Sequence, residues 1–378
     1  MLSLILKGTN ACNLRCRYCS LGEKEQAKML GQDDMRKALF WFLEYAKAKG
    51  QHRVGIILHG GEPFLVPAEQ YRFCFQELQK QYSEMEIHYS AQTNGYELSE
   101  EYLNLIRDYK IHIGISLDGD KDIHDRQRTG IYGNPTYEKI MGNILTLKRN
   151  SIPVSLLMVV TRYHQQMDFQ FFDFLAEERI PIKVNPMYQV GDAKKNMDLA
   201  IPGRYYGQFL MDLFDYLIEH EIDLHVSPLE ELLHAILYGD LPKGCNFCAS
   251  CTDSFVCVNQ EGDIYPCGRF SDRDIFKIGS ISAGISAKGN EIVREIKSRR
   301  KENLAPGCAR CKYLRLCYSG CSAYIFKQGS KNVPSELCED YYMIFEYLSG
   351  SGLIKYKGYL QNRKKKIQRI LAGREHGL

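Results

Sequence analysis

Cys12, Cys16 and Cys19 stand at CxxxCxxC spacing in Cys12-Asn13-Leu14-Arg15-Cys16-Arg17-Tyr18-Cys19. Three thiolates this close can bind three irons of a 4Fe–4S cube, which leaves the fourth iron without a protein ligand. An open coordination position is where a metal site does chemistry rather than only structure. Half of a zinc site is the alternative for the same residues. Zinc favours paired CxxC spacings closed to four ligands, and no partner pair follows in this half of the chain.

The elements that must position this loop alternate. Leu4–Lys7 reads as a strand just before it. Strand-like segments follow at Arg53–Leu58, Ile87–Gln92, Ile111–Leu117, Val154–Val160 and Lys183–Asn185. Between them lie helical stretches over Asp34–Lys49, Pro67 to Tyr82, Ser99 to Tyr109, Tyr137–Asn150 and Asp168–Glu178. Leu39, Phe42, Leu43 and Ala46 recur at helical spacing. Ser99 is placed to cap a helix, and Pro67 to open one. About six βα units predict an α/β fold with a parallel sheet and outer helices. Gly60-Gly61-Glu62-Pro63, Gln92-Thr93-Asn94 and Ser116-Leu117-Asp118 all fall at the C-terminal ends of predicted strands, the rim that builds the active site of a barrel-like fold. The cysteine loop shares that rim.

Fourteen cysteines are many for a chain in a reducing compartment, where clustered thiols point to metal. Cys74 stands alone, and ten lie between Cys245 and Cys338. That asymmetry sets a boundary near residues 235–245, after two helices, Tyr205–His220 and Pro228–Tyr238. Beyond it come a hairpin (Phe255–Val258 and Ile264–Pro266), a charged helix (Asn290–Lys301) and the array Cys308-x2-Cys311-x5-Cys317-x3-Cys321. The tail from Lys355 is basic, with Arg363-Lys364-Lys365-Lys366; such a run is more often a solvated helix face than a binding surface. The domains expected are 1–238, 239–345 and 346–378. A net charge of +3 argues for no nucleic-acid partner and no membrane surface. No apolar run is long enough to span a bilayer, and the N-terminus lacks signal-peptide features. A cytoplasmic location is expected.

CxxxCxxC followed by Gly60-Gly61-Glu62-Pro63 resembles the radical S-adenosylmethionine (radical SAM) superfamily. The resemblance implies a partial (β/α)6 TIM-like barrel, a 4Fe–4S cluster on Cys12, Cys16 and Cys19, and S-adenosylmethionine chelated at the open iron. It implies reductive cleavage of that cofactor to a 5′-deoxyadenosyl radical that removes a substrate hydrogen, a chemistry only a cofactor can carry. It places Tyr18 at the adenine, the backbone of Gly60, Gly61 and Glu62 at the amino group, and Gln92, Asn94, Ser116 and Asp118 at ribose or carboxylate. Arg128, in His124-Asp125-Arg126-Gln127-Arg128, resembles the arginine that pairs the cofactor's carboxylate, a contact suited to a guanidinium; a solvated loop charge is the other reading. The second half resembles the SPASM extension, a cysteine-rich domain with two auxiliary 4Fe–4S clusters. Carried over, Cys245, Cys251, Cys267 and Cys321 would hold one cluster, and Cys308, Cys311, Cys317 and Cys338 the other. Cys248 could replace Cys245 or Cys251, and Cys257 and Cys74 read as packing. A zinc ribbon is the alternative for the array.

The chain resembles both maturases of ribosomally made peptides and anaerobic sulfatase-maturing enzymes. The latter carry an aspartate, the proposed base, directly after the cysteine matching Cys267. Here that residue is Gly268, which cannot accept a proton, and a base must reach the proton it takes. Asp272 and Asp274 are candidate substitutes. On the sequence, the leading reading is therefore radical modification of a precursor peptide, with a carbon–carbon or thioether cross-link as product. Oxidation of cysteine or serine to formylglycine is the alternative. The expected partners are that peptide and a one-electron reductant of flavodoxin or ferredoxin type. With Cys12 so near Met1, a separate leader-binding protein could also be needed. A glycyl-radical activase and a non-catalytic electron carrier are the readings from other classes.

Overall fold

The computed structural model describes residues 1–22, 26–242, 244–248, 250–301, 304–326 and 335–375. Strands β1 (Leu2–Thr9), β2 (Arg53–Gly60), β3 (Glu86–Thr93), β4 (His112–Ser116), β5 (Val154–Val160) and β6 (Ile182–Pro186) lie side by side in chain order, all parallel. Helices α1 (Gln32–Ala48), α2 (Ala68–Gln81), α3 (Glu100–Tyr109), α4 (Lys121–Gln127), α5 (Tyr137–Arg149), α6 (Gln170–Glu177) and α7 (Tyr205–Glu219) connect and follow them. This is the α/β, partial-barrel architecture the sequence predicts, with strand and helix ends displaced by one or two residues. β1 is buried along nearly its whole length, as a strand covered on both faces must be. α1 buries Met35, Ala38, Leu39, Phe42, Leu43 and Ala46, one stripe at helical period. Ser99 caps α3, its hydroxyl accepting from Tyr102 N at 3.4 Å.

One element changes the reading of the rim. The stretch before Arg128 is not loop but α4, started by Asp120, whose carboxylate accepts from Ile123 N at 2.9 Å. α4 delivers the chain into a short strand, Arg128–Gly130, paired antiparallel with Leu14–Cys16 so that Arg128 stands opposite Cys16. Cross-strand register therefore brings Arg128 to the cysteine loop, where it is buried.

After α8 (Leu229–Tyr238) the chain returns to the same sheet. The predicted hairpin, β7 (Phe255–Val258) and β8 (Asp263–Tyr265), lies against the outer edge of β1. β7 runs parallel to β1 with Ser3 opposite Phe255 and Leu6 opposite Val258. An edge strand left open is a liability, and the hairpin covers it. The rest of the cysteine-rich half follows as α9 (Gly268–Asp272), α10 (Ala287–Lys301) and α11 (Cys338–Ser349). The tail is one helix, Ser351–Glu375; of its basic cluster, the side chains of Arg363, Lys365 and Lys366 lie outside the described residues. Among the described residues no helix is long and apolar enough to cross a membrane.

Candidate active site

The cysteine loop is fastened to the end of β2. Gly61 N donates to Thr9 O at 2.9 Å and Glu62 N to Ala11 O at 2.8 Å. A Cβ on Gly61 would lie 2.1 Å from Ala11 O, and one on Gly60, whose φ is +128°, would lie 2.2 Å from Thr9 O. The glycine pair is thus required by the chain's own loop. Above it opens a cavity of about 230 Å³. Cys12, Cys16, Cys19, Tyr18, Gly60, Gly61, Gln92, Asn94, Ser116 and Arg128 all line it, together with His59, Tyr188, Arg269 and Tyr324. Glu62 and Asp118 do not. Glu62 is buried, with Oε1 accepting from Phe64 N (3.0 Å) and Thr93 Oγ1 (2.6 Å) and Oε2 from Asn94 N (2.7 Å). It ties the end of β2 to the end of β3.

Asp118 does the same on the far side. Its Oδ1 accepts from Val159 N at 2.9 Å, and its Oδ2 accepts from Gln127 Nε2 at 2.9 Å and from the Tyr18 hydroxyl. Arg128 Nη1 donates to that hydroxyl at 2.7 Å, while Arg128 Nε is buried with no partner. A guanidinium with one donor unspent beside the cavity is suited to an incoming carboxylate. Asp118→Asn should put an amide donor where an acceptor is needed. It should lower stability by about 2 kcal/mol, read as a shift in the urea unfolding midpoint.

The thiols fit an iron–sulfur group. Cys12 Sγ accepts from Leu14 N at 3.4 Å and from Asn94 Nδ2 at 3.6 Å, and backbone amides of Leu21 and Gly22 face Cys19. Burial pushes the Cys16 thiol up to about 12, against the pull of Arg128; binding iron there means displacing a proton. In the second half Cys251 faces Cys321 and Cys245, and Cys267 faces Cys321 and Cys251. Cys317 faces Cys338, Cys308 and Cys311. The structure therefore brings together Cys245, Cys251, Cys267 and Cys321 in one place, and Cys308, Cys311, Cys317 and Cys338 in another. Among the described residues no three His, Cys, Asp or Glu side chains close tightly enough to hold a single metal ion. In a cube each thiolate binds its own iron, so the ligands stand wider apart than four that share one zinc. Cys248 meets Ser250 Oγ at 3.6 Å, and Cys74 and Cys257 are fully buried.

Sequence reasoning missed the ion pair at the junction of the halves. Lys7, on β1 and 2% exposed, donates to Gly268 O at 2.8 Å and to Asp272 Oδ1. Asp272 Oδ2 accepts from Ser20 Oγ at 2.9 Å. His59, opposite Lys7 on β2, is pushed down to about 4 by burial and by the Lys7 charge, so it is neutral. A lysine closing the apolar run Leu4-Ile5-Leu6 was the signal available. Asp272 also lines a cleft of about 450 Å³ that shares Ser20 and Tyr188 with the cavity. Asp274, the other candidate base, spends its carboxylate on the Tyr265 hydroxyl at 2.5 Å. Burial alone would lower the Lys7 amine, but Asp272, together with Cys257 and Cys267, outweighs it and holds it above the ordinary 10.5. Burial alone would raise Asp272, but Lys7, together with His59 and the Ser20 hydroxyl, outweighs it and holds it below 3.8. The pair's stabilisation should thus be complete between those two values. It should fade as pH falls through the lowered Asp272 value and as pH rises through the raised Lys7 value. Comparing the urea midpoint of wild type and the Lys7→Met/Asp272→Leu variant against pH checks this: their difference should be flat from pH 5 to 9.

Residues 6–175 match the family described as the Radical SAM superfamily. The cysteine-type anaerobic sulfatase-maturating enzyme of Clostridium novyi is 30% identical over 376 residues, covering 91% of this chain and 94% of that protein. The serine-type enzyme of Bacteroides thetaiotaomicron is 25% identical over 364 residues, covering 89% and 87%. The solved structure of native anSMEcpe with bound AdoMet and Kp18Cys peptide matches with a TM-score of 0.81 at 24% identity, over 94% of this chain and 99% of that one. Streptococcus suis SuiB bound to precursor peptide SuiA matches with a TM-score of 0.65 at 17% identity, over 89% and 76%. At these identities the two structures speak for the fold.

Proposed function

This chain belongs to the radical SAM superfamily as a homologue of the anaerobic sulfatase-maturating enzymes, and we propose that it oxidises a cysteine or serine side chain of a polypeptide to an aldehyde. It is in any case a radical SAM oxidoreductase acting on a residue of a peptide or protein. The finer reading reverses the order reached from the sequence. The full-length relatives named above are sulfatase maturases, and Gly268 loses its weight as an objection.

The observation that carries the reading is that position 268 and Asp272 face the same lysine. A Cβ on Gly268 would stand 3.4 Å from Lys7 Cε, and Asp272, one helical turn on, accepts from Lys7 Nζ. The carboxylate absent at 268 is thus supplied from 272. It is ionised at neutral pH and lines the cleft that shares Ser20 and Tyr188 with the cavity. When bound, S-adenosylmethionine and the cluster on Cys12, Cys16 and Cys19 supply a hydrogen-abstracting radical, and auxiliary clusters on the two cysteine quartets supply an electron acceptor. The chain's own residues do the rest. Arg128, Asn94, Gln92, Ser116 and the Gly60-Gly61 backbone hold the cofactor at the cavity wall, and Glu62, Asp118 and Tyr18 hold those groups in place. The peptide enters by the cleft, and Asp272 receives the proton that leaves the side chain as its Cβ loses hydrogen. A cysteine then gives a thioaldehyde, which water converts to aldehyde and hydrogen sulfide; a serine gives the aldehyde directly. An external one-electron reductant of flavodoxin or ferredoxin type is needed to start the reaction.

The test is anaerobic incubation of the reconstituted enzyme with S-adenosylmethionine, reductant and sulfatase-derived peptides carrying cysteine or serine. Hydrazide capture of an aldehyde, with 5′-deoxyadenosine released alongside it, is the expected result. Release of 5′-deoxyadenosine without aldehyde on either peptide would sink the proposal. Cross-linking of a precursor peptide keeps one supporting observation, the absence of a carboxylate on residue 268 itself. An intramolecular cross-link in a peptide encoded beside this gene would favour it.

A further inference from the structure

Two arginines that the reaction above does not use converge on the first cysteine quartet. Arg300, on α10 and 1% exposed, donates from Nη1 to Cys251 Sγ at 3.4 Å and to Cys245 O at 3.4 Å. Its Nη2 donates to Asn246 O at 2.7 Å and its Nε to Tyr318 O at 3.2 Å, so the fork is fixed. Arg269, on α9, donates from Nη1 to Cys321 Sγ at 3.3 Å and to Asn246 Oδ1 at 3.2 Å. Its guanidinium lies 5.0 Å from the centre of the Tyr324 ring and 5.9 Å from that of Tyr188. Arg269 lines the central cavity with those two tyrosines. Arg300 thus meets the quartet from a buried position, and Arg269 meets it from the cavity wall.

We propose that Arg269 and Arg300 raise the reduction potential of an iron–sulfur cluster on Cys245, Cys251, Cys267 and Cys321, making it the acceptor that faces the substrate. This rests on the reading that the quartet holds a cluster. Two-electron oxidation of a side chain sends one electron away with the hydrogen atom. After the proton has gone, one electron remains and must be taken up. Four thiolates already make the quartet strongly negative, and reduction adds a further negative charge. Charge-assisted hydrogen bonds to two ligand sulfurs strengthen as that charge grows, in a site where screening is weak. Hydrogen bonding to sulfur is one of the levers by which a protein sets a cluster's potential. Arg269 is the more informative of the two, because it both touches a quartet sulfur and lines the cavity.

The test uses the full chain with Cys12, Cys16 and Cys19 all changed to Ala, so that only the auxiliary groups remain. Iron is counted, and both couples are titrated by electron paramagnetic resonance with and without Arg269→Gln. One couple should lose about tenfold in its reduction equilibrium, which for one electron is about 59 mV downward, while the other stays. Arg269→Lys keeps the charge but not the fork and should move the same couple by about threefold; if the glutamine variant fails to hold iron, this variant carries the test. Full iron with both couples unmoved overturns the inference alone. Iron for fewer than two cubes overturns it together with the reading it rests on.

Discussion

Glu62→Ala should lower stability by about 4 kcal/mol and strip iron from the cysteine loop. The carboxylate reaches both strand ends. Truncation leaves the amides of Phe64 and Asn94 and the Thr93 hydroxyl without their acceptor. A buried donor left unpaired costs about 1–3 kcal/mol, and three act here in one place. The loop suffers next, because Asn94 donates to Cys12 Sγ at 3.6 Å and to Asn13 Oδ1 at 2.8 Å. Glu62→Gln makes the contrast. Its Oε1 keeps the bonds to Phe64 and Thr93, and only the Asn94 amide meets a donor, so the loss should be about 1–2 kcal/mol. Burial holds the Glu62 carboxyl above its ordinary 4.5 despite those three bonds. Its charge therefore opposes folding at neutral pH, and a neutral acceptor gives some of that back. Urea midpoints and iron content of the three proteins, purified anaerobically, check the order wild type, Gln, Ala. An alanine variant with wild-type iron would refute the link from latch to loop.

Glu62 also marks where the sequence stops informing. The six βα units are legible because buried strands read as apolar runs and most of them run into Gly, Pro, Asn or Asp. A motif names residue types at a rim but not the direction in which each side chain turns. Glu62, expected to meet the cofactor through its backbone, and Asp118, expected to meet it through its side chain, both turn their carboxylates inward. The donors within reach are the amides of Phe64, Asn94 and Val159 and the side chains of Thr93, Tyr18 and Gln127, and a buried carboxylate must be paired. Arg128 reads from sequence as either a cofactor contact or a loop charge; its place opposite Cys16 depends on a pairing between residues more than a hundred positions apart. The hairpin over Phe255–Val258 is visible as a hairpin, but nothing in four apolar residues tells that it will join β1. Without that pairing, Lys7 and Asp272 have no reason to be considered together, and the base candidate is a residue on a loop with no address.

That ion pair gives the second large effect. Asp272→Asn should reduce aldehyde formed per 5′-deoxyadenosine released by about 10²–10⁴-fold, the usual weight of a positioned base. Radical generation should persist, since none of the groups named at the cofactor is touched. The same change leaves Lys7 buried beside an amide, and breaking a buried pair costs about 3–5 kcal/mol. Loss of activity from the single variant would therefore conflate chemistry with folding. Lys7→Met/Asp272→Leu separates them, because replacing both charges by apolar groups of similar volume is often neutral or stabilising. That variant should recover the wild-type urea midpoint at pH 7 to within about 1 kcal/mol and still release 5′-deoxyadenosine without aldehyde. Asp274→Asn is the control: its carboxylate is held by Tyr265 and lines neither cavity nor cleft, so its product ratio should match wild type. If the double variant instead forms aldehyde at the wild-type ratio, the proton leaves by another route. Asp272 then serves only to join the two halves of the sheet.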